Sequence, residues 1–196
     1  MASVSSDVVI GVDGRARCGW VRDDLEYQRY HDEEWGRPLH GDRALFEKLS
    51  LEGFQAGLSW ITILRKRPRF REVFAGFDPE IVAEFDEGDV ERLMTDAGIV
   101  RNRAKILAVI GNAKLVRDLA PGALDELIWS FADAEDARDR PRPKSFADVP
   151  ATTPASVALS KTLRAAGFRF VGATTMYALM QSAGLVDDHL EGCWRS

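Results

Sequence analysis

Apolar residues in this chain recur at helical spacing, and most runs are bracketed by residues that start or stop helices. Asp78-Pro79 joins a capping side chain to a proline at the first helical position, and Ile81, Val82 and Phe85 follow. Val90, Leu93 and Met94 form a stripe that Gly98 is placed to close. Asn102 opens a longer run through Ile106, Leu107, Ile110 and Leu115; Leu124, Leu127, Ile128 and Phe131 make the next. Thr153-Pro154 opens a helix running to Ala166 and closed by Gly167, and a last long helix carries Met176, Met180 and Ala183 on one face. No segment reads as a convincing strand and none repeats, so the expected fold class is all-α. Residues 133–150 are charged and contain Pro141, Pro143 and Pro150, which reads as a surface connection.

Composition sets the outer limits. A chain of 196 residues, 45% hydrophobic and 29% charged, is an ordinary globular protein with one core or two small lobes. No apolar run reaches the length of a membrane span, and Met1–Ser6 lacks the basic and apolar regions of a signal peptide, so the expected location is cytoplasmic. Two cysteines far apart in sequence do not make a secreted disulfide scaffold. The net charge of −5 weighs against a nucleic-acid partner without deciding it, because a local basic patch can outweigh the total. Residues 1 to about 14 read as a disordered polar tail, leaving 15–196 as the folded domain.

Within that domain the stretch Leu51-Glu52-Gly53-Phe54-Gln55-Ala56-Gly57-Leu58-Ser59-Trp60 stands out. A helix capped near Asp42 puts Leu45, Leu49, Glu52 and Ala56 on one face. Three are apolar, so Glu52 is expected to point inward, where a carboxylate is costly unless paired or hydrated. It either pairs with an arginine or lines a pocket that awaits a hydrogen-bond donor or a cation. Gly53 and Gly57 remove side chains, Gly57-Leu58-Ser59 reads as an exposed tip, and Trp60 supplies a flat ring beside it.

Two constellations could carry chemistry. Cys18 and His31 lie near one end of the chain and His189 and Cys193 near the other. If the last segment is helical, His189 and Cys193 share a face, and the four make a closed tetrahedral zinc set joining both ends. The alternative is two buried cysteines and unrelated histidines. Gly167-Phe168-Arg169-Phe170-Val171-Gly172 is the second: a glycine-flanked turn between helices, with free amides after Gly172 and Lys161, Arg164 and Arg169 nearby. That arrangement suits a helix-hairpin-helix phosphate clamp or an ordinary helix pair. The cluster Arg65, Lys66, Arg67, Arg69 and Arg71 reads as a solvated basic face.

Taken together the motifs resemble the 3-methyladenine DNA glycosylase I family, of the helix-hairpin-helix glycosylase superfamily. The resemblance rests on Arg17-Cys18-Gly19-Trp20, Tyr30-His31-Asp32-x-Glu34-Trp35-Gly36, Leu51-Glu52-Gly53-x-Gln55-Ala56-Gly57-Leu58-Ser59-Trp60, Asp96-Ala97-Gly98-Ile99, Gly167-Phe168-x-Phe170-Val171-Gly172, Asp188-His189 and Cys193. It covers nearly everything beyond the tail. It implies an all-α fold of two helical lobes with a base pocket between them, and a structural Zn2+ on Cys18, His31, His189 and Cys193. It implies a monomeric, monofunctional base-excision-repair enzyme that flips 3-methyladenine from alkylated double-stranded DNA, hydrolyses its N-glycosidic bond and releases the free base. Glu52 would be the catalytic and base-binding carboxylate, with Tyr30 and Trp60 stacking and Trp20 and Trp35 close by. Gln55, Leu58, Arg169 and Gly172 would meet DNA, Leu58 filling the gap in the stack. Asp187 and Asp188 receive no catalytic role, because that residue of the wider superfamily is absent from this family's pattern. Phe54 departs from the polar residue expected there in some relatives, a change that would alter packing at the pocket rim while leaving Glu52 and Gln55 in place. The competing readings are a non-catalytic zinc-stabilised DNA-binding module, which needs no inward carboxylate, and a zinc hydrolase, which needs an open metal position.

Overall fold

The computed structural model describes residues 7–132 and 141–196. They divide into two compact units. The first comprises residues up to Pro38, Ala132–Ala151 and Met180–Ser196; the second comprises Leu39–Phe131 and Thr152–Leu179. No helix among the described residues is long and apolar enough to cross a membrane.

The first unit begins with a feature the all-α expectation lacks. Strands β1 (Val8–Ile10) and β2 (Ala16–Cys18) pair antiparallel, with Val8 opposite Cys18. The expected tail over 1–14 is therefore corrected from residue 8 onward, while 1–6 lie outside the described residues. Three residues per strand are too few to show an alternating pattern, and β-branched Val8, Val9 and Ile10 form a strand because Ala16–Cys18 lies alongside. Gly11 and Gly14 close the turn, the Gly11 amide donating to the Arg15 carbonyl at 2.9 Å. Helix α1 (Leu25–Glu33) follows, its N-terminus capped by the Asp24 carboxylate on the Tyr27 amide. Cys18, Leu190 and Cys193 form a small buried core against which Val8, Trp20, Trp35 and Val149 pack. Of the surface connection expected over 133–150, residues 133–140 lie outside the described residues. The rest contains a single 3-10 turn, Phe146–Asp148.

The second unit is built on α2 (Asp42–Gln55) and α3 (Trp60–Val73), followed by α4 (Pro79–Val82), α5 (Glu87–Thr95), α6 (Arg103–Arg117), α7 (Ala123–Trp129) and α8 (Pro154–Ala165). Helix α9 (Ala173–Ser182) begins in this unit. Three predicted caps hold: Asp78 accepts from the Glu80 amide, Asn102 from the Lys105 amide and Thr153 from the Ser156 amide. Two predicted boundaries shift. Helix α5 ends at Thr95, and Gly98 lies in a turn in which its amide bonds the Asp96 carboxylate at 2.7 Å. Asp42 is the first residue of α2 rather than its cap; Gly41 holds the cap position, and the Asp42 carboxylate turns to the start of α7.

The core beneath α2 is aromatic. Phe54 is fully buried with its ring 4.6 Å from Phe70, and Phe70, Phe74 and Phe77 stack in succession. Phe54 is thus a core residue, and an apolar ring suits it there. The basic cluster on α3 is engaged in pairs. Arg69 meets Asp96 and Glu72 at 2.7 Å, and Arg71 meets Glu47 at 2.8 Å. These partly exposed pairs fit the solvated-face reading.

Candidate functional site

The cysteine and histidine residues come together in the first unit. One ligand atom from each of Cys18, His31 and Cys193 lies within 4.8 Å of the other two, and all three residues are buried. β2 delivers Cys18, and the last turn of α1 delivers His31. Cys193 arrives on an irregular segment closed by its own amide on the Leu190 carbonyl at 2.9 Å. The helix expected to pair His189 with Cys193 does not form. His189 lies outside the mutual distance of the other three, its ring centroid 5.0 Å from that of His31.

Each histidine is held by a neighbouring carboxylate. His31 Nδ1 lies 2.8 Å from Asp32 Oδ1, and His189 Nδ1 lies 2.7 Å from Asp187 Oδ1. This leaves both Nε2 atoms for other duty: His31 Nε2 is 3.4 Å from Cys193 Sγ, and His189 Nε2 is buried with no hydrogen-bond partner among the described residues. A buried ring nitrogen without a partner, beside two thiols and a second imidazole, fits a metal ion. The thiols are already polarised. The neighbouring Cys18 thiol, with help from His31, pulls the Cys193 thiol well below the usual range, while Cys193 and burial push Cys18 up. A dication bound there would take the two sulfurs as thiolates.

The supports of these ligands were not legible as such in the sequence. Asp32 receives the Arg17 side chain at 2.7 Å and the Trp194 indole at 3.1 Å. Burial pushes the Asp32 carboxyl up, but the bonds from Arg17, His31 and Trp194 outweigh it and hold the group below its ordinary range. Asp187 is likewise held low against its burial by His189 and Arg142. Adjacency was the available signal: Asp32 follows His31, and Asp187 stands two residues before His189. Gly36 has a φ of +73°, and a Cβ there would sit 2.7 Å from the His189 ring, so only glycine admits that ring.

The aromatic candidates of this unit gather at the same place. Trp20 lies 5.3 Å from His31 and 6.4 Å from Tyr30, and Trp35 lies 4.6 Å from His189, centroid to centroid. Trp20 and Trp35 are therefore walls of the cysteine and histidine cluster. Tyr30 is buried on α1, one residue before His31.

In the second unit Glu52 is 3% exposed on α2, with Leu45 and Leu49 buried on its side. Ala56 does not share that face, because the helix ends at Gln55. Gly57 then takes a φ of +85° and Leu58 is 43% exposed, forming the expected tip. Trp60 is buried at the start of α3, with the Lys48 ammonium 5.3 Å from its ring centroid. Lys105 reaches from α6 to the end of α2, donating to the Phe54 carbonyl at 2.9 Å and the Ala56 carbonyl at 2.7 Å.

The hairpin joins α8 to α9 through Gly167 at φ +98° and Phe170 at φ +58°. Asn112 of α6 binds Arg169 on both backbone sides, accepting from its amide at 2.9 Å and donating to its carbonyl at 3.1 Å. Lys161, Arg164 and Arg169 are exposed. Arg164 lies near the start of α9, its guanidinium 3.5 Å from where a Gly172 side chain would begin. Positive charge at the positive end of a helix is unfavourable alone and suits an anion shared by both.

The methyladenine glycosylase family matches residues 20–196. DNA-3-methyladenine glycosylase 1 of Escherichia coli is 48% identical over 179 residues, covering 90% of this chain and 95% of that protein. A crystal structure of 3-methyladenine DNA glycosylase I superposes with a TM-score of 0.86 at 46% identity, covering 91% of this chain and 98% of the other. A variant of such an enzyme, solved in complex with 3-methyladenine, superposes with a TM-score of 0.81 at 35% identity over 89% and 94% of the two chains.

Proposed function

This chain belongs to the methyladenine glycosylase family, and from that premise we propose that it is a monofunctional DNA glycosylase that releases 3-methyladenine from alkylated double-stranded DNA in base-excision repair. The observation that carries the reading is Glu52, a carboxylate 3% exposed on a helix that leads into an exposed tip. The relative solved with 3-methyladenine supports the choice of base.

A base methylated at N3 is positively charged while attached to deoxyribose, so its bond to C1′ is weakened before any residue acts. The enzyme need not protonate the leaving group. The lesion is flipped from the duplex and held where water reaches C1′. The C1′–N9 bond breaks, its electron pair neutralises the base, water adds to C1′ and its proton passes to solvent. Glu52, ionised, accepts from the exocyclic amine and favours the cationic ring; Tyr30 and Trp60 offer faces for stacking and cation–π attraction. Neutral adenine gains less from each group and keeps its stronger bond.

Leu58 fills the place of the flipped nucleotide and Gln55 stands beside it. The Arg169 hairpin, read as a helix-hairpin-helix element, holds phosphate through the amides after Gly172 and through Arg164 and Arg169. Cys18, His31, His189 and Cys193 would hold one structural Zn2+, His189 Nε2 being a buried donor with no hydrogen-bond partner among the described residues. Four protein donors leave no position for a reacting water, so the ion tethers the ends of the chain. The protein acts as a cytoplasmic monomer. Chromatography of the base released from methylated duplex is the test: free 3-methyladenine from the parent, and little from Glu52→Gln, is the expected result, and no free base from the parent would overturn the reading.

A further inference from the structure

Lys105 and Asn112 lie two turns apart on one face of α6, separated by about 10 Å along its axis. Both are buried, at 7% and 3% exposure. Each spends its polar atoms on the backbone of a segment that the reading above assigns to DNA. Lys105 donates to the Phe54 and Ala56 carbonyls, which flank Gln55 and lead directly into the Leu58 tip. Asn112 grips the amide and carbonyl of Arg169. Between these two ties the segments touch: a Cβ on Gly53 would stand 3.4 Å from the Phe170 Cβ and 3.6 Å from its carbonyl oxygen. Gly53 thus lets α2 approach the hairpin, and Phe170 holds a left-handed backbone at φ +58° beside the residue that Asn112 clamps.

The chemistry of position 105 is informative. Burial pulls the Lys105 ammonium below its ordinary pKa, so an apolar side chain would fill the space at less cost. What an apolar side chain cannot do is bind the two carbonyls. They lie at the end of α2, where carbonyls lack intrahelical partners and carry the negative end of the helix dipole.

We infer that Lys105 and Asn112 are positioning residues for duplex DNA, one face of α6 holding the Leu58 tip and the Arg169 hairpin at a set separation. The inference rests on the DNA-glycosylase reading and assigns the tip and the hairpin to one continuous duplex-binding surface. The tip meets the gap left by the flipped base, and the hairpin meets a phosphate at a fixed distance from it. Neither residue is a catalytic residue, and neither is required for the pocket to take the free base.

The test uses the full chain with two probes, free 3-methyladenine and a duplex bearing a stable abasic-site analogue. Lys105→Met and Asn112→Ala are expected to keep free-base affinity within about twofold while losing about tenfold to a hundredfold in duplex affinity. Lys105→Arg, which retains donors, recovers most of that loss. In a Leu58→Ala background Lys105→Met adds no more than about twofold, because the tip it positions is already gone. Loss of free-base affinity in parallel with duplex affinity, full additivity with Leu58→Ala, or parental duplex binding by both variants would each overturn the inference. Should Lys105→Met not fold, Asn112→Ala decides by the same pair of affinities. A parent that neither binds nor releases 3-methyladenine would overturn the glycosylase reading itself; a normal parent with indifferent variants would overturn only this assignment.

Discussion

Asp42 and Asp125 each bind the start of the helix that carries the other. The Asp42 carboxylate accepts from the Gly122 and Asp125 amides at 2.7 and 2.9 Å, and the Asp125 carboxylate accepts from the Gly41 amide at 2.8 Å and lies 3.0 Å from His40 Nδ1. The exchange ties the starts of α2 and α7 across some eighty residues of sequence. Asp42→Ala is expected to cost roughly 1–2 kcal/mol, since a helix start loses its acceptor. Urea denaturation reads the loss directly, and a midpoint equal to the parent's would show that solvent satisfies those amides equally well. Excision well below the melting temperature should be unchanged.

The Arg17–Asp32–His31 chain makes stability depend on acid. Asp32 has a folded pKa below its ordinary 3.8 because Arg17, His31 and Trp194 together outweigh its burial. A lowered pKa contributes stability that is complete above the ordinary value and is lost as pH falls through the lower, folded value. Asp32→Asn should cost roughly 1–3 kcal/mol near neutral pH, because Arg17 loses its buried partner but keeps its pair with Asp13. It should also flatten the acid limb of a midpoint-against-pH series taken from pH 6 to 2. An acid limb as steep as the parent's would assign that loss to other carboxylates.

The same carboxylate orients His31, so it should also govern metal retention. Purified protein is expected to carry one zinc by elemental analysis, and Cys193→Ala to carry none and to melt early. Asp32→Asn should keep the metal but surrender it to a chelator at about tenfold to a hundredfold lower concentration. Zinc-free parent protein, or a Cys193→Ala variant as stable as the parent, would remove the metal from the account.

Glu52→Gln is expected to fold and to retain zinc, because the two side chains are nearly isosteric. It should bind free 3-methyladenine poorly and excise it slowly. Replacing one carboxylate oxygen by an NH2 group removes a charge-assisted bond worth on the order of 1.5–3 kcal/mol and sets a donor against the donor edge of the base. Single-turnover rates should therefore fall roughly tenfold to several-hundredfold. A variant that melts early yet excises at the parental rate would make Glu52 a structural ion-pair partner.

Gly172→Val puts a branched side chain where Arg164 lies 3.5 Å from the bare Cα's missing substituent. Displacing Arg164 from the start of α9 should weaken damaged and undamaged duplex alike and lower the slope of binding against salt by about one phosphate contact. Unchanged affinity for both duplexes across the salt series would leave the hairpin a structural turn.

What the sequence determined by itself is local. Asp78, Asn102 and Thr153 were legible as caps because each binds an amide two or three residues ahead, a distance that sequence spacing sets. Glu52 was legible as an inward carboxylate because helical period alone places it beside Leu45 and Leu49. The glycosylase motifs were legible as a resemblance, and the cysteine and histidine cluster as a set of residue types. Only the tertiary structure decided where those side chains spend their bonds. Asp42 looks like the cap of its own helix and instead caps α7, because folding brings the Gly122 and Asp125 amides closer to its oxygens than those of α2. Val8–Ile10 became a strand because Ala16–Cys18 offered a ladder that three residues cannot announce alone. Cys193 reaches Cys18 and His31 on an irregular segment rather than on the helix that i, i+4 spacing suggested, and His189 lies outside the mutual distance of those three. Lys105 and Asn112 carried no signal, since a cation and an amide on a helix gain meaning from carbonyls some fifty residues away. Propensity and capping act over a few bonds of chain, whereas satisfying a buried polar group depends on whatever partner the completed fold brings within 3 Å, a choice no local spacing encodes.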